Sequence, residues 1–96
     1  MDFIKINDSE NARFDADGNL YIDGASYVEG LDDYEWFFQV EKKYINALYS
    51  AISGTDADTN QGSLLLEFLT KNKIRVSQLV KVCEENEIKH FFTTYR

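Results

Sequence analysis

Several groupings in this 96-residue chain have residue types that could do chemistry. Asp15-Ala16-Asp17-Gly18 reads like the opening of a calcium loop. Such a loop needs oxygen ligands at set positions and a bidentate Glu at the twelfth. Counted from Asp15, the ninth position is Asp23 and the twelfth is Ser26. The closing ligand is missing, so a hairpin turn is the better reading. Asp56-Ala57-Asp58 has fewer ligands still. Cys83 and His90 are each alone of their type, and two soft ligands fall short of a zinc set. Cys83 lies on the apolar side of an expected helix, with no helix start to lower its pKa, and reads as a core residue. The glycines at 18, 24, 30, 54 and 62 are scattered turn residues, not a phosphate cradle. Asp32, Asp33 and Glu35 are the densest carboxylates. Without a pocket they read as a solvated acidic patch rather than an acid–base pair. The expectation is therefore no catalytic residue, no metal and no cofactor.

The net charge of −7 is unevenly placed. Residues 1–35 carry ten acidic and two basic side chains, and residues 36–96 carry seven and eight. The whole excess precedes residue 36. Direct nucleic-acid binding is disfavoured, because it needs clustered Lys and Arg. An acidic surface that meets a basic protein is the alternative to one that merely keeps the chain in solution. No leader-like pattern opens the sequence, no apolar run is long enough for a membrane span, and a single cysteine forms no intrachain disulfide. A cytoplasmic location is the expectation.

The elements that must position these residues follow from periodicity. Tyr34-Glu35-Trp36-Phe37-Phe38-Gln39-Val40-Glu41 is the most β-prone run. Its alternation puts Tyr34, Trp36, Phe38 and Val40 on one face and Glu35, Phe37, Gln39 and Glu41 on the other. It is expected to be a central strand with the first set more buried. Phe3-Ile4-Lys5-Ile6 is a short edge strand or a tethered terminus, and residues 7–11 are a polar turn. The Asp-Gly pair predicts a hairpin with Ala12, Phe14, Leu20 and Ile22 inward and Arg13 and Tyr21 outward. Residues 24–30 read as a loop or irregular strand. A 3.6-residue apolar spacing predicts a helix over 42–53 that stops at Gly54. A second helix is capped by Ser63, with Asn60 or Thr59 as alternatives, and stops at Asn72, and a third is capped by Ser77 and ended by a left-handed Asn86. Residues 88–95 return to strand character. The result is one domain, a two-layer α+β fold with three helices on one face of a mostly antiparallel sheet. The other face then has no covering layer. Tyr21, Phe37 and one face of the last strand would lie there, and large aromatics on such a face mark a contact surface.

Size, acidity, the Asp-Gly hairpin, the aromatic strand and the helical second half together resemble the immunity proteins of bacterial polymorphic-toxin and contact-dependent growth-inhibition systems. The likeness is carried by Phe14-Asp15-Ala16-Asp17-Gly18-Asn19-Leu20-Tyr21-Ile22-Asp23-Gly24, by Asp33-Tyr34-Glu35-Trp36-Phe37 and by Glu85-Asn86-Glu87-Ile88-Lys89-His90-Phe91-Phe92. It implies a protein that binds one cognate toxin, often a nuclease with a basic cleft, and blocks it by stoichiometric contact. On physical grounds Asp15, Asp17, Asp23, Asp32, Asp33 and Glu35 are expected to steer the partner, and Tyr21 and Phe37 to anchor it. Two other classes stay open at this point. One is a phage-type acidic inhibitor or nucleic-acid mimic, and the other is a small ligand-binding domain.

Overall fold

A computed structural model describes residues 3–26, 34–54 and 62–95. Five strands, β1 (Ile4–Lys5), β2 (Glu10–Phe14), β3 (Leu20–Ser26), β4 (Tyr34–Val40) and β5 (Phe91–Tyr95), form one sheet in sequence order. All four pairings are antiparallel. Between β4 and β5 come a 3-10 turn (Lys42–Tyr44) and the helices α1 (Ile45–Ser53), α2 (Gly62–Lys71) and α3 (Val76–Glu85). The fold is α+β, as the periodicity predicted. No helix among the described residues is long and apolar enough to cross a membrane.

One face of the sheet and the helices share the core. Ala12, Leu20, Ile22, Phe38 and Val40 from the strands meet Ile45, Leu48, Leu65, Leu69, Val76, Leu79 and Cys83 from the helices, all buried. On β4, Phe38 and Val40 are fully buried while Glu41, just past the strand, is exposed. Burial also pushes the Cys83 thiol up to about 11, which leaves it protonated and inert.

The hairpin forms where Asp-Gly placed it. Gly18 donates to the Asp15 carbonyl and adopts φ +89°, and the Asp15 amide closes the loop on the Asn19 carbonyl. This is a type I turn with a bulge glycine, a geometry that matches strand twist. The Asp15 carboxylate takes the Asp17 and Asn19 amides, each at 2.9 Å. α1 ends at Gly54 in the left-handed conformation, as expected.

Several boundaries differ from the sequence expectation. The first helix opens with a 3-10 turn, and β5 starts at Phe91 rather than at Ile88. α2 already includes Ser63. Ser77 lies inside α3, whose N-cap is Arg75, and the Gln78 side chain accepts from the Arg75 amide at 2.9 Å. Asn86 has φ −108°, and the left-handed residue is Glu87 at φ 55°. The Ile88 amide then reaches back to the Cys83 carbonyl and the Glu87 amide to that of Glu84, which completes a Schellman end. Lys73, at φ 50°, ends α2 in the same way, with Ile74 bonded to Leu69 and Lys73 to Thr70.

Side chains other than Gly, Asn and Asp resist this conformation, which costs roughly 1–2 kcal/mol per residue. Lys73→Gly and Glu87→Gly are each expected to raise stability by up to about 1 kcal/mol. A urea titration checks this, and a lower midpoint in either variant contradicts it.

The largest departure is at Glu10 and Gly24, expected in a polar turn and in a loop or irregular strand. Both lie in strands and are paired with each other. Glu10 is 3% exposed. Its carboxylate accepts from Asn7 Nδ2 at 2.8 Å, from the Val76 amide at 2.9 Å and from Trp36 Nε1. Asn7 Nδ2 also donates to the Ile74 carbonyl, and Asn7 Oδ1 accepts from the Ser9 amide. Val76 is the first residue of α3, so a carboxylate from β2 caps that helix across the core. Trp36 stands on β4, with β3 between it and Glu10. The two strands stand about two spacings, roughly 10 Å, apart, a gap that the indole closes only together with the Glu10 side chain. The indole passes over Gly24, where a Cβ would lie 2.1 Å from Trp36 Nε1. A glycine in mid-strand is therefore what lets the indole through.

Candidate protein-contact surface

The face of the sheet opposite the helices is defined by register. Lys5, Asn11, Asp23, Phe37 and Thr93 lie in one cross-strand row. Arg13, Tyr21, Gln39 and Phe91 form the next, and Ala25 and Glu35 lie in another. Period-two alternation sends all of these side chains away from the core.

Aromatic rings connect across these rows. Tyr21 and Phe37 have centroids 5.7 Å apart, and Phe37 meets Phe91 edge-on at 6.2 Å. The Arg13 guanidinium lies 4.7 Å from the Tyr21 ring centre and 5.4 Å from that of Phe3. The stripe Phe3–Arg13–Tyr21–Phe37–Phe91 thus runs from one edge of the sheet to the other. Phe3 and Phe91 remain about half exposed at its ends. Such rings are large, rigid and amphipathic, and they supply contact area at low entropic cost.

The expected site residues divide into three groups. Tyr21, Asp23, Glu35 and Phe37 come together on this face, each half-buried. Asp15 and Asp17 sit at the hairpin tip beside it. Asp32 and Asp33 lie outside the described residues.

Asp17 is exposed, whereas Asp15 is committed to its own turn. The Asn19 amide holds the Asp15 carboxyl below the usual carboxylate range. Its contribution to the turn is present above that range and is lost as pH falls through the lowered folded value. The Tyr21 hydroxyl donates to Asp15, which pushes its own pKa up. It also accepts from Gln39 Nε2 at 3.4 Å. Tyr21 is thereby fixed in place by the turn on one side and by β4 on the other. Glu10, counted at the sequence level in the acidic excess, is buried and adds nothing to this surface.

Phe3, Arg13 and Phe91 join the stripe without having been singled out as site residues. Alternation alone pairs Phe91 with Thr93 on a face of β5. Only knowledge that β5 lies next to β4 places that face beside Phe37. Among the described residues no three His, Cys, Asp or Glu side chains gather as a metal site. His90 is held by its own strand approach, with Nδ1 2.9 Å from the Ile88 carbonyl and its ring 5.9 Å from Phe38. Comparison with protein-family models, with curated proteins and with solved structures returns no match to this chain.

Proposed function

We propose that this protein is an immunity protein, which binds a toxic protein one-to-one and blocks it by contact, with no catalytic step and no cofactor. The observation that carries the reading is the sheet face that no described element covers, on which a continuous aromatic stripe lies beside Asp23 and Glu35 and near the exposed Asp17. Rings of this kind become affinity once a partner excludes water from them. Carboxylates on the same face and a net charge of −7 favour a partner with a basic surface, such as a nuclease whose cleft ordinarily holds phosphates.

Co-production with the product of the adjacent reading frame tests this. The expected result is relief of growth arrest and a one-to-one complex that weakens as salt rises. Growth arrest that persists, with no complex on size exclusion, would remove the proposal.

A further inference from the structure

We infer that β5 is a self-association edge, through which two copies of this chain join their five-stranded sheets into one of ten strands. β5 pairs with β4 on one side, and among the described residues nothing pairs with its other side. Such an edge presents alternate unpaired amides and carbonyls. Native edges are ordinarily blunted by shortness, charge, proline or a bulge. The opposite edge, β1, is blunted, with only two residues, one of them Lys5. β5 has five, Phe-Phe-Thr-Thr-Tyr, without a charge or a proline.

Its exposed rings narrow the choice of occupant. Phe91 is 54% exposed and Phe92 41%. They are neighbours in sequence and point to opposite faces of the sheet. A partner resting on either face would cover one ring. An added strand, whose own side chains alternate, flanks both at once. An identical strand meets no like charge within the five residues, and two-fold pairing closes without leaving a new open edge at the join. The register that pairs all five residues places Thr93 opposite Thr93 of the second copy, and residue 92 opposite residue 94. Thr–Thr is a favourable cross-strand pair.

Salt dependence separates this contact from the proposed toxin complex. Two copies at −7 repel each other, so salt strengthens the dimer, whereas it weakens the complex with a basic partner. The inference does not depend on the toxin reading.

Sedimentation of the isolated chain from micromolar to millimolar concentration is the test, with Thr93→Lys and Thr93→Glu beside wild type. Wild type is expected to dimerise. Like charges facing each other at the two-fold axis should raise the dissociation constant of each variant by about tenfold or more. An equimolar mixture of the two variants should recover a heterodimer. If a variant fails to fold, amide exchange of β5 in wild type decides, slowing as concentration rises. A wild type that stays monomeric with concentration-independent exchange overturns the inference, as do variants that dimerise like wild type or a mixture that does not recover.

Discussion

Glu10→Ala is expected to lower stability by about 3–5 kcal/mol, because several hydrogen bonds to one buried carboxylate are lost together. The carboxylate serves Asn7, Trp36 and the first amide of α3 at once. Removing it takes an acceptor from the Val76 amide, from Trp36 Nε1 and from Asn7 Nδ2, which keeps the Ile74 carbonyl, and each buried group left unsatisfied costs about 1–3 kcal/mol. The loss also releases the tie between β2 and α3, which are 66 residues apart in the chain. Glu10→Gln keeps the shape but turns one acceptor into a donor, so an intermediate loss is expected. Urea titration followed by circular dichroism ranks the three proteins. A Glu10→Ala variant within about 0.5 kcal/mol of wild type, the range of an ordinary surface substitution, would show that the cluster is dispensable.

Gly24→Ala is the second large effect. The added methyl would stand 2.1 Å from Trp36 Nε1 and 2.2 Å from Cε2. Neither β3 nor the indole can give way by that much in a packed sheet, so the ring must leave Glu10. A loss of about 3 kcal/mol or more is expected, combining overpacking with a broken buried hydrogen bond. Trp36→Ala alone should cost roughly 3–5 kcal/mol. The two changes should not add. With the indole gone the clash is gone, and alanine is favoured over glycine in a strand by roughly 0.5–1 kcal/mol. In the Trp36→Ala background, Gly24→Ala should therefore be neutral or slightly stabilising. A double-mutant cycle with no coupling would contradict the threading of the indole over Gly24.

This pair also shows where sequence reading succeeds and where it fails. The strand at Tyr34–Val40, the Asp-Gly hairpin and the amphipathic spacing of the helices are local signals. Each is written within a few residues, and each appears in the fold. Phe38 and Val40 are buried because a period of two fixes one face. Gly24 and Glu10 are the opposite case. Glycine and glutamate carry turn-like and solvent-like propensities. What overrides them is one indole on β4 and one helix start on α3, contacts that no local window contains. The helix ends at Lys73 and Glu87 are similar. Burial of Ile74 and Ile88 sets the reversal of the chain, and the residue before each takes the left-handed strain. On the candidate surface, Tyr21 and Phe37 were legible from alternation. Arg13 was legible as outward from the hairpin, and Phe3 and Phe91 needed the strand order.

The most direct test of the outer face as a contact surface is the rate of partner association and dissociation across a salt series. Asp23→Lys with Glu35→Lys should slow association and flatten its salt dependence, with dissociation little changed. Phe37→Ala should speed dissociation while melting much closer to wild type than Phe38→Ala, because its ring lies on the outer face and Phe38 is fully buried. The contrary result is lysine variants that associate as fast as wild type, together with a Phe37→Ala protein that loses as much stability as Phe38→Ala and dissociates at the wild-type rate. In that case Phe37 belongs to the fold, the carboxylates only keep the chain in solution, and the sheet face is not where the partner binds.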